Sequence, residues 1–351
     1  MIALRVGAHK LVSEPAFWWR AGTGGPIAPL AALYGAVAGL RMQARGRQAG
    51  LPVICLGNLT VGGAGKTPAA LAVAQLLHAA HERPFFLSRG YGGRLAGPVR
   101  VNPALHRAAD VGDEPILLAR LAPTVVARDR VAGAAFARSA GASVIVMDDG
   151  FQNPSLAKDL SFVLVDGLRG IGNGRVVPAG PLRAPLELQL GHAQAVIVVG
   201  APNGAAGVIE RAEQRRIPVF HGRLEPDRAV VNAIGRRRVL AFAGIADPEK
   251  FFATLHSAGI KIANRAGFPD HHRFSAAETL DLVAQAQANN LMLLTTEKDL
   301  ARLAGEPELQ QLAAHATALP VRLVIEGQDR LREMILTSIA GYRATALRRK
   351  A

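Results

Sequence analysis

A glycine-rich loop between a predicted strand and a predicted helix constrains this chain more than any other feature of its sequence. The strand is predicted over residues 52–56 and the helix over residues 68–81. The loop between them ends in the run Thr60-Val61-Gly62-Gly63-Ala64-Gly65-Lys66-Thr67. A phosphate loop needs glycines that let backbone N–H groups turn toward an anion, a lysine for the β- and γ-phosphates, and a hydroxyl for Mg²⁺. The run meets all three needs and predicts a nucleotide phosphate site.

One position of this run departs from the strict phosphate-loop pattern, because Thr60 stands where the first glycine is expected. The alternative is a glycine-rich turn between strand and helix that binds nothing. Lys66 and Thr67 stand at the required positions, between a strand and a helix, and this placement favours the phosphate site.

A pair of carboxylates follows another predicted strand, over residues 143–147. Apolar residues that lead into Asp148 and Asp149 form a Walker B arrangement. We predict that Asp148 binds Mg²⁺ directly or through water, together with the hydroxyl of Thr67. Asp149 would hold a second metal ion or position a neighbour. The alternative is a structural Asp-Asp-Gly turn.

Short apolar runs alternate with helical patterns from Leu51 onward, which is typical of a parallel sheet with helices on both faces. The first series of strands is predicted at residues 52–56, 85–88, 124–127, 143–147, 162–165 and 196–199, with helices at 68–81, 114–121 and 130–140 between them. A second series has strands at 239–242, 291–295 and 321–325, helices at 248–258 and 276–288, and a closing helix from 328 to 350.

The polar, arginine-rich stretch 223–238 separates the two series. The predicted fold class is therefore α/β, with a P-loop NTPase-like parallel sheet, a smaller C-terminal α/β domain and an N-terminal membrane-associated helix. The expected boundaries are 1–47 for the membrane-associated segment, 48–228 for the P-loop domain and 229–351 for the smaller domain with its closing helix.

The N-terminal segment contains twenty uncharged residues, 21–40, but glycine and proline in its first half leave only 27–40 as continuous helix. This length is too short to span a bilayer comfortably, and no secretory signal fits the segment. Aromatic side chains precede the run and arginines follow it, an arrangement that suits the surface of an anionic membrane. These residues are Phe17, Trp18, Trp19, Arg41, Arg45 and Arg47. The alternative is a helix packed on the protein's own core.

The amino-acid composition limits the classes of molecule that this chain is expected to bind. The formal net charge of +14 favours anionic partners such as nucleic acid, acidic lipid or phosphorylated substrates. Aromatic residues make up only 5% of the chain, which disfavours a binder of single-stranded nucleic acid. Cys55 is the sole cysteine, so an intrachain disulfide and a multi-cysteine zinc site are excluded.

Further motifs accompany the phosphate loop and the Asp-Asp pair, in the order in which they occur between residues 58 and 299. They are Ser88-Arg89-Gly90-Tyr91-Gly92-Gly93, Val111-Gly112-Asp113-Glu114-Pro115, Pro178-Ala179-Gly180-Pro181-Leu182-Arg183, Phe268-Pro269-Asp270-His271-His272 and Thr296-Glu297-Lys298-Asp299. With them the chain resembles the tetraacyldisaccharide 4'-kinase family, the lipid A 4'-kinases of Gram-negative bacteria. The resemblance also covers Thr60, which matches the family's loop.

The resemblance implies transfer of the γ-phosphate of ATP, with Mg²⁺, to the 4'-hydroxyl of a tetraacylated glucosamine disaccharide 1-phosphate, giving lipid IVA. It implies a cytoplasmic-face location at the inner membrane of a Gram-negative bacterium. The expected partners are this phosphorylated lipid and an anionic membrane surface, and no nucleic acid is expected. A sugar hydroxyl is a poor nucleophile and calls for a positioned general base.

Asp113 and His271 are the predicted base, acting as a pair contributed by the two domains, with Lys66 as the third catalytic residue. The resemblance places Asp113 beside the nucleotide and His271 near it. The alternative for Asp113 is a helix N-cap. For His271 the alternative is a loop histidine between domains, with Asp270 or His272 as the functional neighbour.

Four further residues are weaker substrate-binding candidates. Arginines bind phosphate through paired donors, so Arg183 is predicted at the substrate's 1-phosphate and Arg89 or Arg130 at the transferring group. Tyr91 is the fourth. Each has a structural role as its alternative. Residues 296–299 follow a strand, so they either contact the nucleotide or cap the next helix.

Two other functions remain compatible with the phosphate loop. One is a P-loop GTPase or metallochaperone switch, although a guanine-reading Asn-Lys-x-Asp motif is absent. The other is a nucleic-acid-stimulated ATPase, which the net charge permits and which would bind less tightly as salt rises.

Overall fold

The computed structural model describes residues 14–348, apart from residues 21 and 23. Residues 1–13 of the predicted N-terminal segment and the last three residues of the basic tail therefore lie outside the described residues. The strands are β1 (Val53–Asn58), β2 (Pro84–Ser88), β3 (Val99–Arg100), β4 (Thr124–Val126), β5 (Val144–Asp148), β6 (Leu160–Asp166), β7 (Ala195–Val199), β8 (Val219–Pro226), β9 (Arg238–Ala243), β10 (Lys261–Gly267), β11 (Met292–Thr296), β12 (Ala316–Leu319) and β13 (Val321–Ile325).

Helices connect most of these strands. They are α1 (Ala28–Gln43), α2 (Lys66–Ala79), α3 (Ala108–Val111), α4 (Asp113–Leu118), α5 (Arg130–Ser139), α6 (Leu186–Gly191), α7 (Ala206–Gln214), α8 (Arg228–Ile234), α9 (Pro248–Ser257), α10 (Ala276–Ala288), α11 (Glu297–Leu303), α12 (Gln310–His315) and α13 (Gln328–Arg348).

Nine strands form one large sheet in the order β13-β8-β7-β6-β1-β5-β2-β4-β3. All neighbours pair in parallel except β3 with β4 and β13 with β8, which lie at the two edges. Strand β1 lies between β5 and β6, with Ile54 opposite Val146 and Leu160. The predicted parallel sheet is confirmed.

Alternate residues of β1 point to opposite faces of the sheet, as the geometry of a strand requires. Val53 and Cys55 join one buried apolar cluster, and Ile54 and Leu56 join another on the opposite face. A strand buried on both faces has no polar alternation, which is why β1 appears in the sequence as a continuous apolar run.

A second, smaller sheet has four parallel strands in the order β10-β9-β11-β12. Strand β9, one of its two central strands, contributes side chains to two buried apolar clusters on opposite faces. Leu240 and Phe242 lie in one cluster, and Val239 and Ala241 lie in the other. The prediction of a second α/β unit rested on strands at 239–242, 291–295 and 321–325, of which the first two correspond to β9 and β11 of this sheet. Strands β10 and β12 were missed, and β10 is largely half-buried or exposed, with no buried apolar run to mark it.

The end of the chain returns to the large sheet. Strand β13 pairs antiparallel with β8, with Leu323 opposite Leu224. Helix α13 places Leu331, Ile335 and Ile339 in the same cluster as Ile54. Residues 321–348, expected in the smaller domain, therefore pack on the larger one. The arginine-rich stretch 223–238, expected to be the domain boundary, contains the second half of β8. Residues 223–226 are exposed or half-buried, so no buried apolar run marks this half of the strand.

Helix α1 begins and ends close to its predicted bounds. Small residues and Met42 face the protein, whereas Leu30, Leu33, Tyr34, Val37 and Leu40 are exposed along the other side. Over the described ranges, every helix is too short or too polar to cross a membrane.

Trp18 departs from its predicted place at the lipid headgroups. Its side chain is buried, and the indole Nε1–H donates a hydrogen bond to the carbonyl of Pro178 at 2.8 Å. A tryptophan with a satisfied N–H and a buried ring stabilises the protein's own packing. Trp19 is half-buried, with the Arg169 guanidinium 5.0 Å from the centre of its ring.

Candidate active site

The predicted phosphate loop lies at the carboxyl end of β1, where parallel sheets bind ligands. Gly62 and Gly65 have φ of +96° and +81°, a region that favours glycine. Helix α2 begins at Lys66, two residues before its predicted start, so its N-terminus opens directly into the loop. The backbone therefore has the shape that the sequence predicts for an anion site.

A segment distant in sequence supports this loop. The backbone N–H of Val61 donates to the carbonyl of Pro181 at 2.8 Å. Arg183 donates from Nε to the carbonyl of Thr60 at 3.0 Å. The Pro-Ala-Gly-Pro-Leu-Arg motif thus fixes the first residues of the phosphate loop.

Asp149 lies between two cations at the mouth of the loop. Its Oδ2 is 2.8 Å from Lys66 Nζ, and its Oδ1 is 2.7 Å from Arg183 Nη1. Burial raises the pKa of this carboxyl, but Lys66 and Arg183 outweigh the burial and hold the pKa at about 2. These contacts favour the positioning role for Asp149 over a second metal site. The predicted contact of Arg183 with the substrate's 1-phosphate stays a prediction.

Asp148 and Thr67 each carry a buried side-chain oxygen atom without a hydrogen-bond partner in the described part of the chain. These atoms are Asp148 Oδ1 and Thr67 Oγ1. Burial, and then the nearby charge of Glu114, raise the pKa of Asp148 to about 7. Buried oxygens of this kind are normally paired, so this pair of residues fits a Mg²⁺ ion.

The described ranges contain no cluster of three His, Cys, Asp or Glu side chains that would hold a metal ion by themselves. Mg²⁺ commonly uses one or two carboxylates and completes its shell with water and substrate phosphates. The sparse protein ligand set at Asp148 and Thr67 is what a nucleotide-bound Mg²⁺ requires.

The structure brings Asp113 and His271 together across the two domains. Asp113 is the first residue of α4 and is 4% exposed, and its Oδ2 lies 3.5 Å from His271 Nδ1. Asp113 Oδ1 accepts a hydrogen bond from the backbone N–H of Glu114 at 2.9 Å. The N-cap of α4 is Gly112, so the N-cap alternative for Asp113 is wrong.

The two histidines of the Phe-Pro-Asp-His-His motif differ in their surroundings. His271 has a φ of +54°, and its ring centre lies 5.1 Å from that of Tyr91. A hydrogen bond with Asp113 is the main cause that raises the pKa of His271. His272 instead bonds to Glu278 at 3.0 Å and stacks on Phe268. His271 is therefore the histidine that faces the predicted site.

The Thr-Glu-Lys-Asp motif contacts the larger domain as well as capping a helix. Thr296 is the N-cap of α11, and its Oγ1 accepts from the Asp299 N–H. Lys298 Nζ lies 2.6 Å from Glu114 Oε1. Burial lowers the pKa of Lys298, but Glu114 and Asp113 outweigh that effect and raise it. The contact of this motif with a nucleotide, the other alternative for residues 296–299, stays a prediction.

Arg302 was missed by the sequence reasoning and lies at the centre of this cluster. Its Nε and Nη2 are 2.7 Å and 2.5 Å from Asp113 Oδ2, and its Nη1 is 2.8 Å from Asp299 Oδ1. Arg302 stands three residues after Asp299, so both side chains lie on the same face of α11. That spacing is a local signal for the pair with Asp299, whereas the contact with Asp113 has no signal in the sequence.

The remaining weak candidates occupy different places. Arg89 and Tyr91 are exposed, the latter beside His271. Arg130 is buried and donates from Nη1 to the Ala127 carbonyl at 2.8 Å, while its Nε has no hydrogen-bond partner in the described part of the chain. Their contacts with substrate stay predictions.

Comparisons with known proteins agree with one another. The family profile LpxK, tetraacyldisaccharide-1-P 4'-kinase, matches residues 26–340. A tetraacyldisaccharide 4'-kinase of Rhodopseudomonas palustris (strain BisA53) is 52% identical over 331 residues, which cover 94% of this chain and 97% of that protein. Its counterpart in Methylobacterium radiotolerans is 55% identical over 326 residues, covering 92% and 98% of the two chains.

A solved structure resembles the fold over nearly its whole length. The crystal structure of LpxK from Aquifex aeolicus in complex with ATP superposes with a TM-score of 0.68 at 27% identity, covering 90% of this chain and 99% of that one.

Proposed function

The chain belongs to the tetraacyldisaccharide-1-P 4'-kinase family, and from this premise we propose that it phosphorylates the 4'-hydroxyl of a tetraacylated glucosamine disaccharide 1-phosphate. ATP is the donor, Mg²⁺ the cofactor and lipid IVA the product. The observation that supports this most directly is the meeting, between two domains, of a phosphate loop, an unsatisfied Asp148–Thr67 pair and a contact of Asp113 with His271.

Phosphate binding is assigned to residues 60–67 and metal binding to Thr67 and Asp148. Lys66 supplies positive charge to the transferring phosphate, and Asp149 holds Lys66 in place through their 2.8 Å ion pair. Thr67 and Asp148 would hold Mg²⁺, which would supply positive charge to the transferring phosphate. Positioning and electrostatic stabilisation supply most of the catalysis in reactions of this kind.

Asp113 and His271 act on the proton of the attacking hydroxyl. Because they belong to different domains, the base is complete only when the domains are in contact. Arg89, Tyr91, Arg130 and Arg183 are the candidates for contacts with the lipid's phosphate or with the transferring group, and the exposed Tyr91 beside His271 is the best placed to meet a sugar.

Helix α1 is proposed to place the enzyme on an anionic membrane surface. Its five large exposed apolar side chains recur at three- and four-residue intervals, which forms a stripe along one face. Arg41 at its last turn suits anionic headgroups. The relatives come from Gram-negative bacteria, so this surface is proposed to be the cytoplasmic face of the inner membrane.

One assay tests the function. The protein is incubated with γ-labelled ATP, Mg²⁺ and the disaccharide 1-phosphate in mixed micelles, and we expect label in a lipid product phosphorylated at the 4'-position. Parallel incubations with GTP, with DNA or RNA in place of lipid, and without acceptor separate this activity from a GTPase switch and from a nucleic-acid-stimulated ATPase. Nucleotide hydrolysis that is unchanged by the lipid but stimulated by nucleic acid would overturn the proposal.

A further inference from the structure

Glu14, in the segment that precedes α1, places its carboxylate against the phosphate loop. A Cβ placed on Gly62 would collide with Glu14 Oε1, so this oxygen lies directly over the backbone of the loop. Gly62 has a φ of +96°, a conformation that favours glycine. The residue at position 62 must therefore lack a side chain for two reasons, its backbone conformation and the approach of Glu14.

The Glu14 carboxylate is mostly buried, and its other oxygen has a charged partner. The side chain is 21% exposed, and Oε2 lies 3.0 Å from Arg169 Nη1. Burial raises the pKa of Glu14 above its ordinary value, although Arg169 and a hydrogen bond with Trp19 act against this rise. A carboxylate close to a phosphate site repels the phosphates of a nucleotide. Glu14 is compatible with that site only if its contacts offset the repulsion.

Arg169 connects Glu14 to the smaller domain. Its Nη2 lies 2.7 Å from Asp247 Oδ2, while its Nη1 pairs with Glu14. Arg169 lies in the loop after β6, and Asp247 directly precedes α9 of the smaller domain. A planar guanidinium that pairs with two carboxylates through different nitrogen atoms fixes their relative positions. The N-terminal segment and both domains therefore meet at this side chain.

The smaller domain also reaches the phosphate loop directly. A Cβ placed on Gly63 would lie 3.9 Å from the Cβ of Ala246, the residue before Asp247. The contacts close a ring that consists of Gly62, Glu14, Arg169, Asp247, Ala246 and Gly63. A loop that is contacted on two successive residues loses less conformational freedom when it binds a ligand. The ring therefore favours nucleotide binding.

The segment that carries Glu14 is itself fixed to the larger domain. The backbone N–H of Asn173 donates to the carbonyl of Trp18 at 2.7 Å, and the backbone N–H of Trp18 donates to the carbonyl of Pro15 at 2.9 Å. The Trp18 indole donates to Pro178. These contacts set the position of Glu14, and they lie apart from the exposed apolar stripe of α1.

From these contacts we propose that Glu14 is a positioning residue of the nucleotide site, which holds the phosphate loop and, through Arg169, the smaller domain in the arrangement that binds ATP. The N-terminal segment thus serves nucleotide binding in addition to membrane contact. This inference rests on the proposed ATP site at the phosphate loop and not on the identity of the phosphate acceptor. Glu14 acts through Gly62 and Arg169 rather than on the nucleotide itself.

Positioning and a simple effect of charge predict opposite results for the removal of Glu14. If Glu14 acted only through its charge, its removal would tighten ATP binding, because a carboxylate near the phosphates would be gone. If Glu14 positions the loop, its removal weakens ATP binding, because ordering of the loop then opposes binding. The sign of the change in ATP affinity decides between the two.

The test measures nucleotide binding and kinetics on the full chain. Isothermal titration calorimetry gives the Kd of a non-hydrolysable ATP analogue with Mg²⁺, and the lipid kinase assay gives KM for ATP and kcat. We expect Glu14→Ala to raise Kd and KM about fivefold or more, with kcat at saturating ATP within about threefold of the parent. Glu14→Gln keeps the size of the side chain and an oxygen for Arg169, so its Kd should lie between those of the parent and Glu14→Ala.

Variants of the partner residues test the ring. Arg169→Ala and Asp247→Asn should each raise the Kd. The Glu14→Ala/Arg169→Ala double variant should bind little more weakly than Arg169→Ala alone, because the two side chains act as one unit. Glu249→Gln is the matched control, since Glu249 also lies at the start of α9 but pairs with Arg265, at 2.9 Å, within the smaller domain. Its Kd should equal that of the parent.

Three results would overturn the inference. These are tighter binding of the analogue by Glu14→Ala, an unchanged Kd in that variant, and effects of Glu14→Ala and Arg169→Ala that multiply in the double variant. If Glu14→Ala fails to fold, Glu14→Gln decides the matter, and a Kd at or below that of the parent overturns the inference.

Failure of the proposed function gives a different result. A parent protein that does not bind the analogue would refute the nucleotide site, and this inference with it. A parent that binds the analogue but transfers no phosphate to lipid would refute only the proposed reaction, and the Kd values would still test the role of Glu14.

Discussion

Lys66 is the residue on which we predict phosphate transfer to depend most directly. It opens α2, and its ammonium lies at the mouth of the loop against Asp149. We expect Lys66→Ala to lower kcat by about 10²-fold or more, because the transferring phosphate loses a charge that stabilises its transition state. Lys66→Arg is the matched variant that keeps the charge. A folded Lys66→Ala protein, verified by circular dichroism, with a parental rate would contradict the assignment of the phosphate loop.

Asp113 and His271 should behave as one unit in a double-mutant cycle. Each single alanine variant is expected to lose most of the rate, and the double variant to lose little more, because residues that act on one proton are strongly non-additive. ATP affinity, measured by equilibrium binding, should stay near that of the parent, since the predicted ATP-binding residues Lys66 and Thr67 are unchanged in these variants. If the rate loss of the double variant equals the product of the two single losses, the two residues act independently and the prediction is wrong.

The pH dependence of the parent is predicted to follow the charge state of His271. The ring accepts a proton only when it is neutral, and a hydrogen bond with Asp113 raises its pKa above the ordinary value. The rate should therefore fall as pH drops through that raised pKa, with a midpoint above about 6.5. His272→Gln serves as the control, because His272 bonds to Glu278 and should leave the profile unchanged.

At the scale of elements, α1 is predicted to supply membrane affinity through its exposed apolar stripe. Replacing Leu33 and Val37 together by Asp places two charges on that stripe, so binding to vesicles that contain anionic lipid should fall strongly in sedimentation. Leu347→Asp, which alters a residue of α13 that is 69% exposed, is the control and should sediment like the parent. Equal retention of all variants would place the membrane contact elsewhere. The kinase activity toward a soluble substrate analogue should survive.

At the scale of the whole molecule, α13 joins the end of the chain to the nucleotide domain. Ile335 is 1% exposed in the cluster that contains Ile54 and Leu56, and Arg343 pairs with Glu82 at 2.7 Å. Ile335→Ala should lower the free energy of unfolding by about 2 to 5 kcal/mol, measured by urea denaturation, because it leaves a cavity in that core. Leu347→Ala, at an exposed position of the same helix, should cost almost nothing.

The two domains contact each other on two sides through ion pairs. One side is the cluster of Asp113, Glu114, Lys298 and Arg302. On the other, Arg169 lies 2.7 Å from Asp247, and Lys250 pairs with Asp166. These ion pairs join the two domains, and we predict that they couple nucleotide binding to the contact of Asp113 with His271.

The sequence alone determined the parts of this protein that are local. The phosphate loop is visible because its strand, glycines, Lys66 and Thr67 are contiguous, and backbone conformations with positive φ select glycine at those positions. The position of Asp148 at the end of a strand was predicted for the same reason, since it follows a run of apolar residues. The central strands were predicted within two residues at most ends, because burial on both faces produces continuous apolar runs.

Only the tertiary structure decided which distant surfaces meet. Arg302 and Asp113 are 189 residues apart, and nothing near either residue encodes their contact, which depends on how α11 packs against α4. The sequence of β13 predicts a strand but does not show which sheet the strand joins. The aromatic residues around Trp18 predicted a membrane anchor, but the Trp18 ring is buried in the protein. Periodicity fixes the conformation of a segment and its apolar face, whereas the partner of that face is set by packing between elements that are remote in sequence.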